Sequence, residues 1–433
     1  MDDTDRKRAV EDLIDERTDE LLAFLSDLVA AETVTGHEGP GQDVVIERFE
    51  SMGLSPDVWT PDADALRDHE AFFETSAYAA VGYEGRPNVA ATVEGSGDGP
   101  TLTLSGHVDV VPVTDSEWTR DPWRLTREGD RVYGRGSGDM KGGFAAAVLA
   151  VEAIRAAGID LAGDVYLQST IEEEDGGVGG VLSALERGYV PDGAIIAEPW
   201  GVPNLGMASA GVMYFELTIH GRSAHVGMAH EGVNALDKAV EVYGALRDLD
   251  RRRKERISYE PAYRLDPGLA GHETNLNVGT IEAADWPAIV PGTVTMGCRI
   301  GWPPGETRAE IRAEVRETID EVVAGDEWLR EHPPDLEWFG LQAEPHEVSP
   351  DEPLLRTAMA NAERVTGREG VFYGGSAGND TRYYPLYYDV PATSVGPEAT
   401  DIHGADEHTT VSSLVETSKT IAGTVVDYCG VAE

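Results

Sequence analysis

Short apolar runs alternate with helical repeats through the first 200 residues of the chain. Strands are predicted at 88–93, 101–104, 164–171 and 194–197, the first two as a pair around a glycine-rich turn. Helices are predicted at 5–31, 42–52, 142–157 and 178–187. The stretch 59–85 has no period and is predicted to be a long insertion or loop. Because strands that alternate with helices form parallel sheets, we expect an α/β domain with a mostly parallel sheet.

The pattern changes near Gly206 and returns after residue 342. Strands are predicted at 212–219, 274–281, 293–299 and 336–339, with helices at 233–249 and 307–323. This β-α-β-β-α-β order indicates a separate two-layer α+β domain inserted into the first one. We therefore expect a larger domain in two parts, 1–206 and 343–433, and an inserted domain at 207–342.

The balance of charges is unusual. The chain has 34 basic and 79 acidic residues, a net charge of −45, and the acids are spread along its whole length. Self-repulsion of this size destabilises a fold in dilute buffer and is screened by salt. A high-salt cytoplasm is the interpretation that we favour over a merely acidic mesophilic protein. Nucleic acid is not expected as a partner, since no basic face is visible.

Cysteine usage and hydropathy narrow the class of protein further. Cys298 and Cys429 are the only cysteines, which argues against a disulfide framework and against a thiolate metal site. The N-terminus has no apolar signal, and no long apolar run occurs in the chain. We therefore expect a soluble, cytoplasmic chain that makes no membrane contact.

Histidines and carboxylates follow several of the predicted strands. His107 and Asp109 come directly after the strand 101–104, and the acidic run Glu172–Asp175 and Glu198 each follow another strand. Each of these features alone is more typical of a solvated turn. However, strand ends meet at one edge of an open sheet, and carboxylates gathered there repel one another unless a cation or a proton compensates.

Two loops add to this set. Asp139 lies in the glycine-rich stretch 134–143, whose spacing fits neither a P-loop nor a dinucleotide fold. A plain turn capped by Asp139 is the alternative interpretation. His403 lies in a loop near the C-terminus. Two histidines and at least three carboxylates, without a thiolate, suit a pair of divalent ions, zinc before cobalt or manganese.

These motifs together resemble a known family. They are Gly106–Pro112 (GHVDVVP), Gly134–Gly143 (GRGSGDMKGG), Glu172–Gly177 (EEEDGG), Glu198–Pro199, the His403 loop, Gly221–His225 (GRSAH) with Gly232–Ala235 (GVNA), and Arg299 followed by Pro303, Pro304 and Gly305. Over almost its whole length the chain resembles the M20-type co-catalytic zinc metallopeptidases and deacylases. These include acetylornithine deacetylase, succinyl-diaminopimelate desuccinylase, aminoacylase-1 and the glutamate carboxypeptidases. The resemblance implies that the larger domain is catalytic and that the inserted one is a lid and dimerisation domain.

The resemblance also implies roles for the strand-end residues. It implies two ligand sets that share Asp139 as a bridge: His107, Asp139 and Glu198 for one ion, and Asp139, Glu174 and His403 for the other. Asp109 is expected to orient His107, and Glu173 to act as the general base. Because three glutamates are consecutive at 172–174, the assignment of Glu173 and Glu174 depends on placing the metal-binding one nearer the glycine pair.

Further residues are implied for the substrate. His225 is expected to reach the oxyanion from the partner subunit of a homodimer, formed through the inserted domain. Arg299 is expected to bind the substrate carboxylate bidentately, with Asn277 as a companion contact. Asp380 and Arg382 fall where the family has a substrate-facing loop.

We therefore expect an enzyme, a dinuclear metal-dependent hydrolase that removes an acyl group from a small N-acylated amino acid or similar carboxylate. Acetylornithine deacetylase or succinyl-diaminopimelate desuccinylase activity is plausible. The alternatives are a metallo-carboxypeptidase or dipeptidase, and a deformylase or carbamoyl amidohydrolase. The intact ligand set and Glu173 argue against a catalytically silent binding protein, and a nucleotide-binding enzyme has little support.

This chain departs from the family pattern at several places. The family's Asn-Val-Val-Pro and Gly-Pro-Gly are here Ala288–Pro291 (AIVP) and Gly396–Glu398 (GPE). The insertion at 59–85 lies just ahead of the metal strand and could line the pocket. These departures spare the metal ligands but weaken the transfer of any one substrate.

Overall fold

The computed structural model describes residues 3–114, 117–284, 286–375 and 377–432. The chain forms two compact units. The first unit comprises Met1–Ala208, Glu347–Tyr373 and Asn379–Glu433, and the second comprises Ser209–His346 and Gly374–Gly378. A mixed sheet with a parallel centre and a separate antiparallel four-stranded sheet confirm the expected fold class.

Both units contain helices, and those between residues 235 and 331 belong to the second unit. In chain order the α-helices of the described residues are α1 (Asp3–Glu16), α2 (Thr18–Ala30), α3 (Gly39–Ser51), α4 (Ala63–Leu66), α5 (Ser76–Val81), α6 (Lys141–Ala156), α7 (Ser183–Glu186), α8 (Ala235–Arg256), α9 (Arg308–Gly325), α10 (Glu327–Glu331), α11 (Pro353–Thr366), α12 (Tyr383–Tyr387) and α13 (Val411–Cys429). The predicted helix at 5–31 is therefore two helices. Over the residues described here, none of the helices is long and apolar enough to cross a membrane.

In the described part of the chain, the strands form one large and three smaller sheets. In chain order they are β1 (Asp57–Trp59), β2 (Asn88–Val93), β3 (Leu102–His107), β4 (Thr126–Glu128), β5 (Arg131–Tyr133), β6 (Val165–Thr170), β7 (Gly193–Ile196), β8 (Leu205–Ser209), β9 (Gly211–His220), β10 (Ala224–His225), β11 (Asn275–Glu282), β12 (Ile289–Val290), β13 (Thr293–Trp302), β14 (Asp335–Ala343), β15 (His346–Glu347), β16 (Phe372–Gly374), β17 (Ala392–Ser394), β18 (Ala399–Thr400) and β19 (His408–Thr410). The large sheet has the order β1-β2-β6-β3-β7-β17-β8-β15, with β16 beside β8.

The centre of the large sheet is parallel. β3 pairs in parallel with both β6 and β7, and β17 pairs in parallel with β7. The expected pairing of β2 with β3 is wrong, because β6 lies between them and pairs antiparallel with β2. The turn after β2 explains this order, since the backbone N–H groups of Ser96 and Gly97 donate to the carbonyls of Leu161 and Ala162, just before β6.

The parallel centre determines where the polar strand ends lie. β3 ends at His107, β6 at Thr170 and β7 at Ile196, and the three strands are neighbours. Their carboxyl ends therefore meet at one edge of the sheet, as in other open α/β sheets. The alanine-rich helix α6 covers the sheet with an almost wholly buried surface, so the edge is supported by a packed core.

The second unit has the antiparallel order β11-β13-β9-β14. Inward residues alternate with outward ones along β9 and β13, and the inward side chains pack with those of α8 and α9. Asn234 caps α8, and Thr307 and Glu310 form a capping box at α9. The stretch 59–85, expected to be a loop, contains the short helices α4 and α5, whose N-caps are Asp62 and Thr75.

Candidate metal centre

His107 is buried at the carboxyl edge of the sheet. Its Nδ1 lies 2.9 Å from the backbone carbonyl oxygen of Asp109 and 3.5 Å from the Oδ1 atom of Asp109. When Nδ1–H donates to this carbonyl, Nε2 carries the lone pair. Nε2 has no hydrogen-bond partner among the described residues. The imidazole is thus oriented as a ligand, and Asp109 orients it mainly through its main chain.

The carboxylate of Asp109 also holds the loop that follows β6. Its Oδ1 accepts a hydrogen bond from the backbone N–H of Glu173 at 3.1 Å. Its Oδ2 accepts from the backbone N–H of Glu174 at 3.2 Å and from the hydroxyl of Thr35 at 3.0 Å. Burial alone would raise the pKa of Asp109, but hydrogen bonds, chiefly with His107, keep that pKa below its ordinary value. Asp109 therefore stays ionised and connects two of the predicted site segments.

The carboxylate of Asp139 lies between the two histidines. Its Oδ1 is 3.5 Å from Nε2 of His107, and its Oδ2 is 3.3 Å from Nε2 of His403. His403 is half exposed, and its Nε2 is also 3.0 Å from Oε2 of Glu174. Hydrogen bonds to Asp139 and then Glu174 raise the pKa of His403 to about 10. The surroundings thus favour a positive charge at this point, supplied by a proton or by a cation.

Glu173 and Glu198 complete the cluster. The ligand atoms of His107, Glu173 and Glu198 lie within 4.8 Å of one another, and so do those of His107, Asp139 and Glu174. Burial raises the pKa of Glu173 well above its ordinary value, and the charge of Glu198 adds to the effect. Crowded carboxylates with two imidazoles fit a divalent cation, and zinc, cobalt and manganese all accept such donors.

The three consecutive glutamates do not share one environment. Glu172 has φ 66° and is buried. Its Oε2 accepts from Nη2 of Arg86 at 3.0 Å, and its Oε1 accepts from the hydroxyl of Tyr83 and from the backbone N–H of Gly179, both at 3.2 Å. Only Glu173 and Glu174 therefore remain beside His107 and His403.

Arg86 is a residue that sequence reasoning missed. Its guanidinium donates to both oxygens of Glu38, at 2.7 and 2.8 Å, as well as to Glu172. All three side chains are buried. Arg86 follows the insertion 59–85. This ion cluster therefore connects the end of the insertion to the loop that begins at Glu172 and carries Glu173 and Glu174, which we call the glutamate loop. No local pattern marks Arg86 or Glu38, because the cluster joins three distant segments.

Asp380 and Arg382, predicted as substrate contacts, are both buried. Arg382 donates to the backbone carbonyls of Asn379 and Gly176 and to the hydroxyl of Tyr383. Oδ1 of Asp380 has no hydrogen-bond partner in the described part of the chain. Burial raises the pKa of Asp380 to about 6. The hydrogen bonds of Arg382 go to the protein itself, which favours support of the glutamate loop over direct substrate binding for this residue.

His225, Asn277 and Arg299 lie in the second unit. His225 is exposed, and its Nδ1 accepts from the backbone N–H of Gly227 at 3.0 Å. Asn277 and Arg299 are direct cross-strand partners on β11 and β13. Among the described residues, the guanidinium of Arg299 makes no ion pair. The structure thus leaves the side chains of His225 and Arg299 available for a ligand.

An α/β sheet whose edge gathers two histidines and several carboxylates has the donor groups of a divalent metal site. Residues 103–427 match peptidase family M20/M25/M40, and the chain belongs to this family. Family membership makes it a hydrolase of amide bonds, so the resemblance and the enzyme class expected from the sequence are confirmed.

The chain is similar to enzymes of different specificity. It is 29% identical over 369 residues to an N-formyl-4-amino-5-aminomethyl-2-methylpyrimidine deformylase of Bacillus subtilis, over 80% of this chain and 84% of the relative. It is 28% identical over 409 residues to a succinyl-diaminopimelate desuccinylase of Gluconacetobacter diazotrophicus, and the match covers 91% of this chain and 93% of the relative. An M20 family metallo-carboxypeptidase from Sulfolobus solfataricus shares the fold, with a TM-score of 0.74 at 17% identity, over 95% of this chain and 99% of that one.

Proposed function

We propose that the protein hydrolyses the amide bond of a small N-acylated amino acid or similar carboxylate and releases the acyl group and the amine. The observation that carries this proposal is the carboxylate of Asp139, whose two oxygens face the two histidines. Such a carboxylate suits a bridge between two cations, and two cations suit amide hydrolysis.

The proposed ligand sets are those that the family resemblance implies. They are His107, Asp139 and Glu198 for one ion, and Asp139, Glu174 and His403 for the other. Zinc is proposed first, with cobalt or manganese as working substitutes. When bound, the ions supply Lewis acidity toward water and toward the substrate carbonyl.

Glu173 is proposed as the residue that moves the proton. Its carboxylate accepts a proton from the attacking water and delivers it to the departing nitrogen. The backbone hydrogen bond to Asp109 holds it in place. Its burial and its raised pKa support this role, since a raised pKa makes the carboxylate a stronger base toward the water.

Arg299 and Asn277 are proposed to bind the carboxylate of the substrate. A guanidinium without an ion pair binds a carboxylate bidentately. The deformylase activity is a second candidate, favoured by the 29% identity to the pyrimidine deformylase. The substrate in that relative's name has no carboxylate, so Arg299 separates the two candidates. We expect Arg299→Met to raise KM about tenfold or more for an N-acyl amino acid, because a bidentate ion pair is lost, and to leave KM for an N-formylated aminomethylpyrimidine unchanged.

His225 is proposed to act from the partner subunit of a homodimer, where its Nε2 donates to the oxygen that becomes negative in the transition state. An exposed apolar face in the second unit supports a dimer. On α8, Val240 is 61% exposed with Leu236 one turn away, and on the edge strand β11 Ile281 is 55% exposed. An unpaired edge strand with apolar neighbours is a natural surface for a second copy.

Sedimentation equilibrium tests this dimer. We expect wild type to be dimeric and Val240→Asp to be monomeric and inactive. Val190→Asp changes a similarly exposed valine of the first unit and serves as the matched control. A monomeric Val240→Asp protein with full activity contradicts the role of His225.

We also propose that the protein works at high salt, because −45 charges on 433 residues need screening. The main experiment is therefore amine release from N-acetyl, N-succinyl and N-formyl substrates and from dipeptides, in molar KCl with zinc or cobalt. We expect hydrolysis of one class by wild type and none by Glu173→Ala. Absence of release from every substrate, by a folded protein with two bound ions, overturns the proposed function.

A further inference from the structure

The glycine-rich loop at 134–139 encloses an anion, and this anion belongs to the chain itself. Oε1 of Glu407 accepts from the backbone N–H groups of Gly138 and Asp139, both at 3.0 Å. Oε2 accepts from the backbone N–H of Gly136 at 3.1 Å and from Nη1 of Arg135 at 2.6 Å. Both Glu407 and Arg135 are buried. Four donors thus converge on one carboxylate, as in the backbone nests that bind phosphate.

The shape of the loop depends on its glycines. Gly136 has φ +80°, a conformation that side chains other than glycine rarely adopt. A Cβ on Gly138 would lie 2.6 Å from Cβ of Ala399 and 3.4 Å from Oε1 of Glu407. Glycine at these positions therefore lets the backbone close around the carboxylate. The N–H groups of this glycine-rich loop are thus already occupied by the carboxylate of Glu407.

The same two side chains also reach the loop that carries His403. Nη2 of Arg135 is 3.3 Å from the backbone carbonyl oxygen of His403. In this loop Asp401, His403 and Asp406 all have positive φ, between 56° and 62°. Left-handed residues of this kind persist only where the surroundings hold them. Arg135 holds this loop at the carbonyl of His403, and Glu407, four residues further along, holds it through the glycine-rich loop.

We propose that Glu407 is a positioning residue that sets the metal affinity of the site by holding Asp139 and His403 at a fixed separation. Its carboxylate fixes the backbone at Asp139, and through Arg135 it fixes the backbone at His403. The inference rests on the proposed function, because Asp139 and His403 are ligands only under that proposal. Nothing in it requires Glu407 to touch the ions or the substrate.

Glu407→Gln is the first test. The amide keeps the volume of the side chain but replaces one acceptor oxygen with an NH₂ group that faces N–H donors. We expect the weaker of the two Kd values for Zn²⁺ to rise about 10- to 100-fold, the usual effect of losing a partner behind a metal ligand. Calorimetric titration of the metal-free protein measures both Kd values, and the visible spectrum of the Co²⁺ form reports the coordination.

Glu416→Gln is the matched control. Glu416 is a partly exposed residue of α13 that accepts from Arg368, and its variant should keep both Kd values. A second variant, Arg135→Lys, retains the buried positive charge but loses the fork that reaches His403. This variant should weaken the binding of one ion only. It tests the proposal if Glu407→Gln does not fold.

Chemical rescue separates positioning from simple loss of stability. In Glu407→Ala, formate or acetate should restore at least half of the lost Zn²⁺ affinity, because a small carboxylate refills the nest, whereas chloride at the same ionic strength should not. A folded Glu407→Gln protein with two wild-type Kd values overturns the inference. Failure of wild type itself to bind two ions overturns the proposed function instead.

Discussion

Identical side chains that are neighbours in the sequence have different surroundings when their backbone conformations differ. Glu172, Glu173 and Glu174 are consecutive, yet the left-handed φ of Glu172 turns its carboxylate toward Arg86 and Tyr83. Burial raises the pKa of Glu172 to about 7, although the charge of Arg86 opposes this shift. Asp109 fixes the backbone of the other two glutamates. The proposal therefore assigns a proton-transfer role to Glu173 and a ligand role to Glu174.

Paired variants separate these two roles. We expect Glu173→Gln to bind two ions with unchanged Kd and to lose about 10²- to 10⁴-fold in kcat at similar KM, the usual contribution of a general base. Glu174→Gln should lose one ion, because a neutral amide is a weaker ligand than a carboxylate. Metal analysis after dialysis, together with steady-state kinetics, measures both effects. Loss of an ion from Glu173→Gln would reverse the assignment.

At the level of elements, the insertion 59–85 supports the glutamate loop. Leu66 and Ala71 pack in one cluster with Val178 and Leu182. The backbone N–H of Ala77 donates to Oδ2 of Asp175 at 2.7 Å. Together with the bonds of Tyr83 and Arg86 to Glu172, these contacts attach the insertion to the loop that carries Glu173. The insertion thus has a structural task in the first unit.

Removal of the Arg86 charge tests this task. Arg86→Met leaves the buried carboxylates of Glu38 and Glu172 without a positive partner, and we expect a loss of about 3–5 kcal/mol in unfolding free energy. Tyr83→Phe, which removes one hydrogen bond of Glu172, should cost only about 1 kcal/mol. Urea unfolding in molar KCl measures both changes. Equal midpoints for wild type and Arg86→Met would contradict the proposed support.

In the second unit, an ion cluster joins the end of α8 to α9. Arg253 is buried and donates to Glu306 at 2.7 Å and to Glu314, and Arg256 lies 3.0 Å from Glu314. Burial raises the pKa of Glu314, but the hydrogen bonds from Arg256 and Arg253 outweigh it, so the pKa is lower than usual. A lowered folded-state pKa stabilises the fold above about pH 4.3, and this contribution is lost as the pH falls through the folded value.

The Glu314 variant should therefore depend on pH. We expect Glu314→Gln to be about 1–2 kcal/mol less stable than wild type at pH 7 and closer to wild type at pH 3, where Glu314 is protonated to a larger extent. Urea unfolding at the two pH values measures the difference. Glu317→Gln, on the exposed face of α9, should change stability at neither pH. A difference as large at pH 3 as at pH 7 would rule out the ionic origin.

For the whole molecule, net charge is the dominant property. The 34 basic residues can neutralise fewer than half of the 79 acidic charges. Buried arginines such as Arg86, Arg135 and Arg253 take part in clusters that hold loops and helices together. The remaining acids repel one another over a Debye length of about 10 Å at 0.1 M salt and about 3 Å at 1 M.

Salt should therefore stabilise the protein. We expect Tm to rise by more than 10 °C between 0.1 and 2 M KCl and to reach a plateau as screening becomes complete. Differential scanning calorimetry measures the rise, and an equal concentration of sucrose controls for exclusion of solutes from the surface. A Tm that is constant or falls with KCl would remove the high-salt proposal.

Local patterns in the chain are sufficient to predict most of the periodic elements, the fold class and the strand-end chemistry. Apolar period and turn residues act between near neighbours, so the strands ending near His107, Glu172 and Glu198 are evident from local pattern, and parallel neighbours share an edge. The order of motifs is likewise a property of the chain alone. For these reasons the sequence is sufficient to predict the family.

Which distant groups meet depends on the tertiary structure. It placed β6 between β2 and β3, turned Glu172 toward Arg86, and filled the glycine-rich loop with the carboxylate of Glu407. No local rule predicts such contacts, because a hydrogen bond between residues 135 and 407 depends on the packing of everything between them. Interactions between near neighbours determine the helices and strands. A buried charge needs a partner, and that partner comes from whichever distant segment packs beside it, so the contacts of the site depend on the whole fold.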